Sequence, residues 1–346
     1  MGIKILHSAD WHLGSHFGSF LPEQREFLQG QMAAIPQKIA RLVKEEACDL
    51  VLLAGDLFDG IPSRDTVEAV MAALADCAVP VFLSPGNHDY CGPGSPWLEE
   101  AWPENVHIFT AGMESVSLPE LDCRVWGAGY QSMDCPGLLE NFRAEGEETY
   151  QIGILHADPT TANSPNCPVT AAQIRRSGLT YLALGHIHKA GTIRSGDTLC
   201  GWPGCPMGRG WDETGDKGIY LVTVDADVKI RPVSLDLPRF FRLEAEAEEL
   251  EALLPAVENG DFYQITLTGT TDTDVASLKE RMARFPNLTW TDKREAPVDL
   301  WADCENDTLR GLYFRKLREK CQEDANARLA AEISRKLLEG REVRLP

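Results

Sequence analysis

The sequence predicts an α/β fold with a smaller second module behind it, and three observations carry that expectation. Short apolar runs recur through the first 235 residues, and each stops abruptly at a polar block. Stretches long enough for helices separate those runs, as expected of strands joined by crossover helices. After Asp236-Leu237-Pro238 the alternation restarts on a smaller scale, and the chain closes with two segments of helical apolar spacing.

Ile3, Ile5 and Leu6 form the first run, which stops at Asp10. Leu50-Val51-Leu52-Leu53-Ala54 stops at Gly55-Asp56, and Val79 to Leu83 leads into Ser84-Pro85-Gly86-Asn87. Ile152 to Leu155 runs into His156, and Leu182-Ala183-Leu184 precedes Gly185-His186. Continuous apolar runs of this length read as strands buried on both faces. Polar groups at their carboxyl ends fit the rule that open α/β sheets place sites just beyond those ends. If the backbone stays extended, period-two spacing puts Asp10 and His12, and likewise His186 and His188, on one side. Gly55, Gly86 and Gly185 permit tight turns there.

The polar blocks are Ser8-Ala9-Asp10-Trp11-His12, Gly55-Asp56-Leu57-Phe58-Asp59, Gly86-Asn87-His88-Asp89, Leu155-His156-Ala157-Asp158 and Gly185-His186-Ile187-His188. Singly, Asp10 and Asp56 read as turn or cap residues and His188 as a loop histidine. Together they supply the donors of a two-metal phosphoesterase site. Two cations about 3.5–4 Å apart can clamp the attacking and leaving oxygens of a phosphoryl displacement. Mixed imidazole and carboxylate donors suit manganese, iron or zinc. With no cysteine in the set, a structural zinc knot is disfavoured.

The five blocks resemble the signature motifs of calcineurin-like metallophosphoesterases. The fuller strings ILHSADWHLGS, LLAGDLFDGIPS and SPGNHD are similar to the DNA-repair exonuclease branch, the SbcD-like nucleases. Trp97 to Phe109 and the loop GWPGCPMGRGWDETGDKG resemble a bacterial subgroup typified by YhaO. The motif-bearing part covers roughly residues 1–235 and the likeness is looser beyond it.

That resemblance implies a four-layer α-β-β-α sandwich over residues 1–237, a small α/β capping domain over 238–300 and C-terminal helices over 301–346. It implies Asp10, His12, Asp56 and His188 around one metal, and Asp56, Asn87, His156 and His186 around the other, with Asp56 bridging. The implied cofactors are two divalent metal ions, manganese first, with magnesium, iron and zinc as alternatives. A two-metal hydroxide mechanism follows, with His88 protonating the departing sugar oxygen and Asp59 orienting that imidazole. The implied activity is a DNA exonuclease, with endonuclease activity open, in partnership with an SbcC-like ATPase gripped by the C-terminal helices. The alternative is a phosphodiesterase of the same fold acting on a cyclic nucleotide or other small diester. A non-catalytic scaffold would leave gaps among the ligands, and there are none.

Other histidines read differently. His7 lies inside the first strand and His107 inside an apolar segment, so both are expected to pack; His16 is read as lying outside the site. The chain starts without a secretory pattern, no apolar run approaches membrane-spanning length, and the scattered cysteines read as free thiols. A cytoplasmic protein without membrane attachment is expected, and a homodimer is a further expectation.

Charge is the awkward feature. The net of −20 opposes what a lone duplex binder should carry, because neutralising phosphates drives non-specific affinity. After Arg239 there are 22 acids against 16 bases, so the body holds −14. Arg209, in a Gly/Pro-rich loop with Trp202 and Trp211, is the best candidate to touch phosphate or bases. From Asp307 onward ten bases face seven acids. There Asp307 is expected to cap a helix striped by Leu309, Leu312, Tyr313 and Leu317, and a second stripe joins Leu329, Ala330, Ile333 and Leu337. Those stripes either fold back on the capping domain or dock a partner helix.

Overall fold

A computed structural model of the chain describes residues 2–271, 273–295, 299–321 and 324–340. Residues 296–298 of the expected capping domain, and 322–323 and 341–346 of the expected tail, lie outside the described residues.

In chain order the elements begin β1 (Ile3–Ser8), α1 (Pro22–Ala33), α2 (Ile35–Glu45), β2 (Leu50–Leu53), α3 (Arg64–Asp76), β3 (Val81–Leu83), α4 (Pro96–Glu99) and β4 (Val106–Ile108). Next come β5 (Glu114–Leu118), β6 (Cys123–Gly127), β7 (Tyr150–His156), α5 (Ala171–Arg176), β8 (Tyr181–Gly185), β9 (Gly191–Ser195), β10 (Thr198–Trp202), β11 (Ile219–Val224) and β12 (Val228–Val233). The chain ends with β13 (Phe240–Glu246), α6 (Leu250–Leu253), β14 (Phe262–Thr268), α7 (Val275–Arg281), β15 (Leu288–Asp292), α8 (Leu309–Lys320) and α9 (Ala325–Leu338).

Two compact units result. The first comprises Met1–Leu243 with Pro255–Ile265 and Arg284–Thr289; the second holds Glu244–Leu254, Thr266–Ala283 and Trp290–Pro346. The expected boundary at 237/238 does not coincide with this division. Phe240 and Phe262 pack with Phe20 and Trp211 in the first unit, at ring separations of 5.4–6.1 Å.

Two six-stranded sheets build the first unit, in the orders β12-β11-β1-β2-β3-β4 and β5-β6-β7-β8-β10-β9. The neighbours β1 to β4 are parallel, as are β6, β7, β8 and β10, while the outer pairings are antiparallel. Strand alternation then makes three apolar layers. In β2, Leu50 and Leu52 face the layer between the sheets, where they join Ile5, Phe82, Ile152 and Tyr181. Val51 and Leu53 face outward and are covered by Leu28, Ile39, Val43 and Leu74 of α1, α2 and α3. On the far side Leu182 and Leu184 of β8 pack under Ile174 of α5. Helix, sheet, sheet, helix is therefore the layering, as expected.

The same alternation aims His7 into the layer between the sheets. Its Nδ1 lies 2.8 Å from the Tyr181 hydroxyl and its Nε2 is 3.1 Å from the Leu184 carbonyl. Both ring nitrogens are partnered, so it is a packed residue rather than a ligand. All ten cysteines are unpaired and nine are buried. No helix among the described residues is long and apolar enough to cross a membrane.

In the second unit Asp274 caps α7 by accepting the Ala276 and Ser277 N–H groups. Thr308, not Asp307, caps α8 through the Gly311 N–H. Helices α8 and α9 meet over Phe314 and Ala331, beside Cys304. The Arg335 guanidinium lies 5.0 Å over the Phe314 ring and pairs with Asp303. The expected stripes divide: Leu317 packs on the Phe314 cluster and Ala330 and Ile333 are half-buried, while the other stripe residues face outward. Leu309 is 85 % exposed and Leu337 64 %, and Leu312, Tyr313 and Leu329 are exposed as well.

Burial holds the His7 pKa down at about 3, against an ordinary value of 6.5. Because the folded value is depressed, the unfolded chain takes up this proton first as pH falls below about 6.5. His7 therefore costs stability between pH 6.5 and 3 and none above it. Comparing urea unfolding of wild type and His7→Gln in EDTA should show a stability difference that changes by up to about 1.4 kcal/mol per pH unit in that window. Parallel stability curves from about pH 7 to 4 would refute it.

Candidate metal centre

The five polar blocks meet at the carboxyl ends of β1, β2, β3, β7 and β8. Pairing between β1 and β2 continues past the strands: the Asp10 N–H donates to Gly55, His12 to Asp56 and Leu13 to Leu57, at 2.9–3.0 Å. The backbone there is not extended, so the condition for period-two placement of these residues is not met. Asp10, His12 and Asp56 have φ of 53°, 49° and 51°, and His186 has 88°. L-residues rarely adopt this left-handed region, and such strain persists only where surrounding structure enforces it. Two glycines are required by close approach. A Cβ on Gly185 would sit 1.9 Å from the Ala54 carbonyl oxygen, and one on Gly86 2.2 Å from the Asp56 carboxylate.

Two donor groups share Asp10: Asp10, His12 and His188 bring one ligand atom each within 4.8 Å of one another, as do Asp10, Asp56 and His156. A third set at the rim, His12, Asp56 and His88, lies within the same distance. Asp56 Oδ2 is 3.3 Å from His156 Nε2 and 3.9 Å from His12 Nε2, so this one carboxylate stands between the two groups. Asn87 Oδ1 approaches His156 Nε2 at 3.0 Å. The His186 ring packs 5.2 Å from that of His156, and its backbone N–H donates to Asp10. Asp10 belongs to both groups, where the expected assignment had it in one.

The donor chemistry fits cations. The His156 Nδ1–H donates to the Ala54 carbonyl at 2.9 Å, which turns Nε2 toward the Asp56 and Asn87 oxygens. The His188 Nδ1–H donates to Glu213 at 2.6 Å, which turns its Nε2 toward His12 Nε2, 3.1 Å away. Imidazole nitrogens and acid or amide oxygens converging in a buried place suit a shared positive charge, whether protons or cations supply it. Buried His12 Nδ1 has no hydrogen-bond partner. Electrostatics point the same way. Burial alone would lower His156, yet the Asp56 and Asp10 carboxylates and the Ala54 carbonyl together outweigh it and lift its pKa to about 9. Burial opposes ionisation of Asp56, but His156 and His12 hold it below the usual carboxylate range.

Two supporting acids escaped the sequence reading. Asp89 is buried and accepts the N–H groups of Asp56, Leu57, Phe58 and Gly86 at 2.7–3.3 Å. One carboxylate thereby ties the second and third blocks together. Glu213 accepts from His188 Nδ1 and from Arg209, whose backbone N, Nε and Nη2 donate to it. Arg209 Nη2 also lies 3.2 Å from His188 Nδ1. The structure thus places Arg209 against a ligand histidine and its acid partner, with a quarter of its side chain exposed. His188, Cys205 and Glu213 also lie within metal-binding distances, but Arg209 already supplies the cation there, and burial pushes the Cys205 thiol up to about 12.

His88 and Asp59 lie at the rim. His88 Nδ1 is 3.1 Å from Asp59 Oδ1, and the Ser15 hydroxyl donates to Asp59 Oδ2 at 2.9 Å. The His88 ring stands edge-on to His12 at 4.8 Å. The Asp59 hydrogen bond raises the His88 pKa, while His88 in turn holds Asp59 at about 2. His16 is exposed and joins none of these groups.

If Glu213 orients His188 for a cation, Glu213→Gln should weaken manganese binding about 10–100-fold. Calorimetric titration of the metal-free protein reads this directly. A parallel melting curve without metal separates it from a folding defect. Unchanged affinity would remove Glu213 from the centre.

Comparisons with known proteins agree with this geometry. The family profile described as Calcineurin-like phosphoesterase matches residues 3–190. The uncharacterized metallophosphoesterase YhaO of Bacillus subtilis is 34% identical over 240 residues, 64% of this chain and 57% of that protein. The match therefore spans little more than half of that relative. Among solved structures, TT1561 of Thermus thermophilus is similar over 67% of this chain and 99% of its own, at 13% identity and a TM-score of 0.42. A dimetal phosphatase from Danio rerio covers 67% and 97%, at 14% identity and 0.45. At those TM-scores the structural likenesses carry no argument. The matched profile spans more than half of the sequence and all of its metal-donor blocks, and the chain belongs to the calcineurin-like phosphoesterase family.

Proposed function

We propose that the protein is a metal-dependent DNA nuclease that works with an SbcC-like ATPase. The observation that carries it is His88, braced by Asp59 and opening at the rim of a centre with two donor groups. A sugar alkoxide is a poor leaving group, and a proton donor beside it is what diester hydrolysis requires. Two divalent cations, manganese first among the candidates, would lower the pKa of water and offset charge on the phosphoryl oxygens.

The residues supply the rest. Asp10, His12, Asp56 and His188 would hold one cation, and Asp56, Asn87, His156 and His186 the other, with Asp10 close to both. Ala54 and Glu213 fix the tautomers of His156 and His188, so Nε2 faces inward in each. Asn87, together with the cations, would offset charge building on the phosphoryl oxygens. His88 gives its proton to the departing oxygen as the phosphorus–oxygen bond breaks, and Asp59 holds the imidazole in place.

DNA as substrate is supported by the strings around the motifs and by the second unit. A small-molecule esterase has no need of a helical pair with an outward apolar face. Between α8 and α9, Leu309, Tyr313, Leu337 and Leu338 line a cavity of about 550 Å³ beside Arg310 and Ser334. The ATPase would dock there. One observation favours a second reading, a small phosphodiester substrate: residues 1–239 carry a net charge of −14, which opposes a long polyanion.

Digesting labelled single- and double-stranded DNA with manganese, alongside bis-p-nitrophenyl phosphate, tests both readings. His88→Ala should keep its metals yet lose about 10²–10⁴-fold of DNA cleavage. The loss on the nitrophenyl ester should be far smaller, since nitrophenolate leaves without a proton. Robust hydrolysis of the small diester with no DNA cleavage, even with the ATPase present, would overturn the nuclease reading. Leu309→Asp with Leu337→Asp should abolish binding to an SbcC-like ATPase in sedimentation experiments. If those changes instead dissolve a concentration-dependent dimer, the face belongs to a second copy.

A further inference from the structure

A second feature of the centre is a cavity of about 380 Å³ that opens beside His88. Asn87, His88 and Asp59 form one wall, and Ile61, Tyr90 and Met133 stand around the rest, above Pro93 and Pro96. None of its lining residues is a lysine or arginine. The lysines close to the centre, Lys189 and Lys217, line a different cavity along His186–Ala190. The cavity beside His88 is therefore not built for phosphate.

Its apolar side chains are unusually open to solvent. Ile61 is 87 % exposed, Met133 65 % and Tyr90 37 %. One such residue on a surface is ordinary, whereas three around one cavity beside a proton donor mark a binding site. The floor is rigid. The Tyr90 ring lies across Gly92, where an added Cβ would come 2.6 Å from it. The Cys91 N–H donates to the Tyr130 carbonyl at 2.8 Å, and the Ser95 hydroxyl accepts from Trp97 N–H to cap α4. The Trp97 indole donates to the Asp89 carbonyl and stacks on Phe58 at 5.0 Å. A preformed aromatic and aliphatic slot loses little ordering entropy when a flat group enters it.

We infer that this cavity is the leaving-group subsite, and that it takes the uncharged base of the nucleoside whose oxygen His88 protonates. The inference rests on the nuclease reading and deepens it. Any group attached to the oxygen at His88 is delivered to the mouth of the cavity, because His88 belongs to both. A nucleobase is flat, neutral and apolar on its faces, which suits stacking against Tyr90 with Ile61 and Met133 at its edges. A continuing phosphate would find no lysine or arginine in the lining, and the one imidazole there, His88, is already paired with Asp59.

The test compares two dinucleotides that differ only in the leaving residue. One is thymidylyl-thymidine, and the other carries an abasic tetrahydrofuran in place of the leaving nucleoside. Wild type with manganese should prefer the first by about 10-fold in kcat/KM, the size expected of one stacked base. Ile61→Ser with Tyr90→Ala should bring that ratio close to one. Ile61→Ser alone, at a fully exposed position, should reduce it partway and guards against misfolding. A ratio that stays near ~10 in the double variant, or is absent in wild type, overturns the subsite.

A second measurement separates this failure from failure of the nuclease reading. Thymidine and 1,2-dideoxyribose are compared as inhibitors of bis-p-nitrophenyl phosphate hydrolysis. If neither dinucleotide is cut but thymidine inhibits about 10-fold better than the bare sugar, the subsite stands and the nuclease reading falls. If thymidine is no better than the sugar, the subsite is wrong whatever the enzyme cuts.

Discussion

The centre depends on holding acids and imidazoles close together in a buried place before any cation neutralises them. Asp10 and Asp56 repel each other, and burial raises the cost of charging Asp10. A relaxed chain would let such groups drift apart. The fold prevents this by locking Asp10, His12, Asp56 and His186 in left-handed backbone, at about 1–3 kcal/mol of strain each. Parallel strands supply the force that holds them. The β1 and β2 ends are stitched by backbone hydrogen bonds, and Asp89 gathers four N–H groups from the neighbouring turns. Trp11, Leu57 and Phe58 are buried next to the strained residues, so relaxing the turns would expose core.

Strain and charge are then balanced by the same partners. His156 and His12 face Asp56, and the Arg209 guanidinium neutralises Glu213 behind His188. Cations that bind the folded chain and not the unfolded one would stabilise it by mass action. Metal loading and folding are thereby coupled, and the ligands that are most strained are those a cation would hold in place.

Much of this was legible in the sequence, for a physical reason. Parallel strands buried on both faces read as continuous apolar runs, so the strand ends before Asp10, Asp56, Asn87, His156 and His186 stood out. His7 read as packing because it falls inside such a run. The left-handed turns did not show, since an aspartate or histidine has no sequence mark for φ. Asp89 lay in a recognised block but was silent, because its role is to accept backbone N–H groups. Glu213 had a weak signal in its four-residue spacing from Arg209. The tail misled in detail. Apolar spacing identifies a stripe but not which face is covered, and Phe314 and Ala331 proved to be the packed residues. The contact division falls later than 237/238 because Phe240 and Phe262 pack with the first unit's aromatic residues.

The charge now has a place in the argument. Affinity for a polyanion comes from lysines and arginines that displace counterions. The body has a net of −14, and Arg209 is engaged with Glu213. The cavity beside His88 has no lysine or arginine in its lining. On the proposed reading, what the centre would grip is local: one phosphate at the cations and one uncharged group beside them. On the nuclease reading, holding a long strand then falls to whatever covers the outward face of α8 and α9, where Arg315, Lys316, Arg318 and Lys320 lie in the same helix as the exposed Leu312 and Tyr313. On that reading, separating grip from cleavage would let an acidic phosphoesterase act on DNA, because a single bound phosphate is enough for the chemistry once a partner has brought the strand to it.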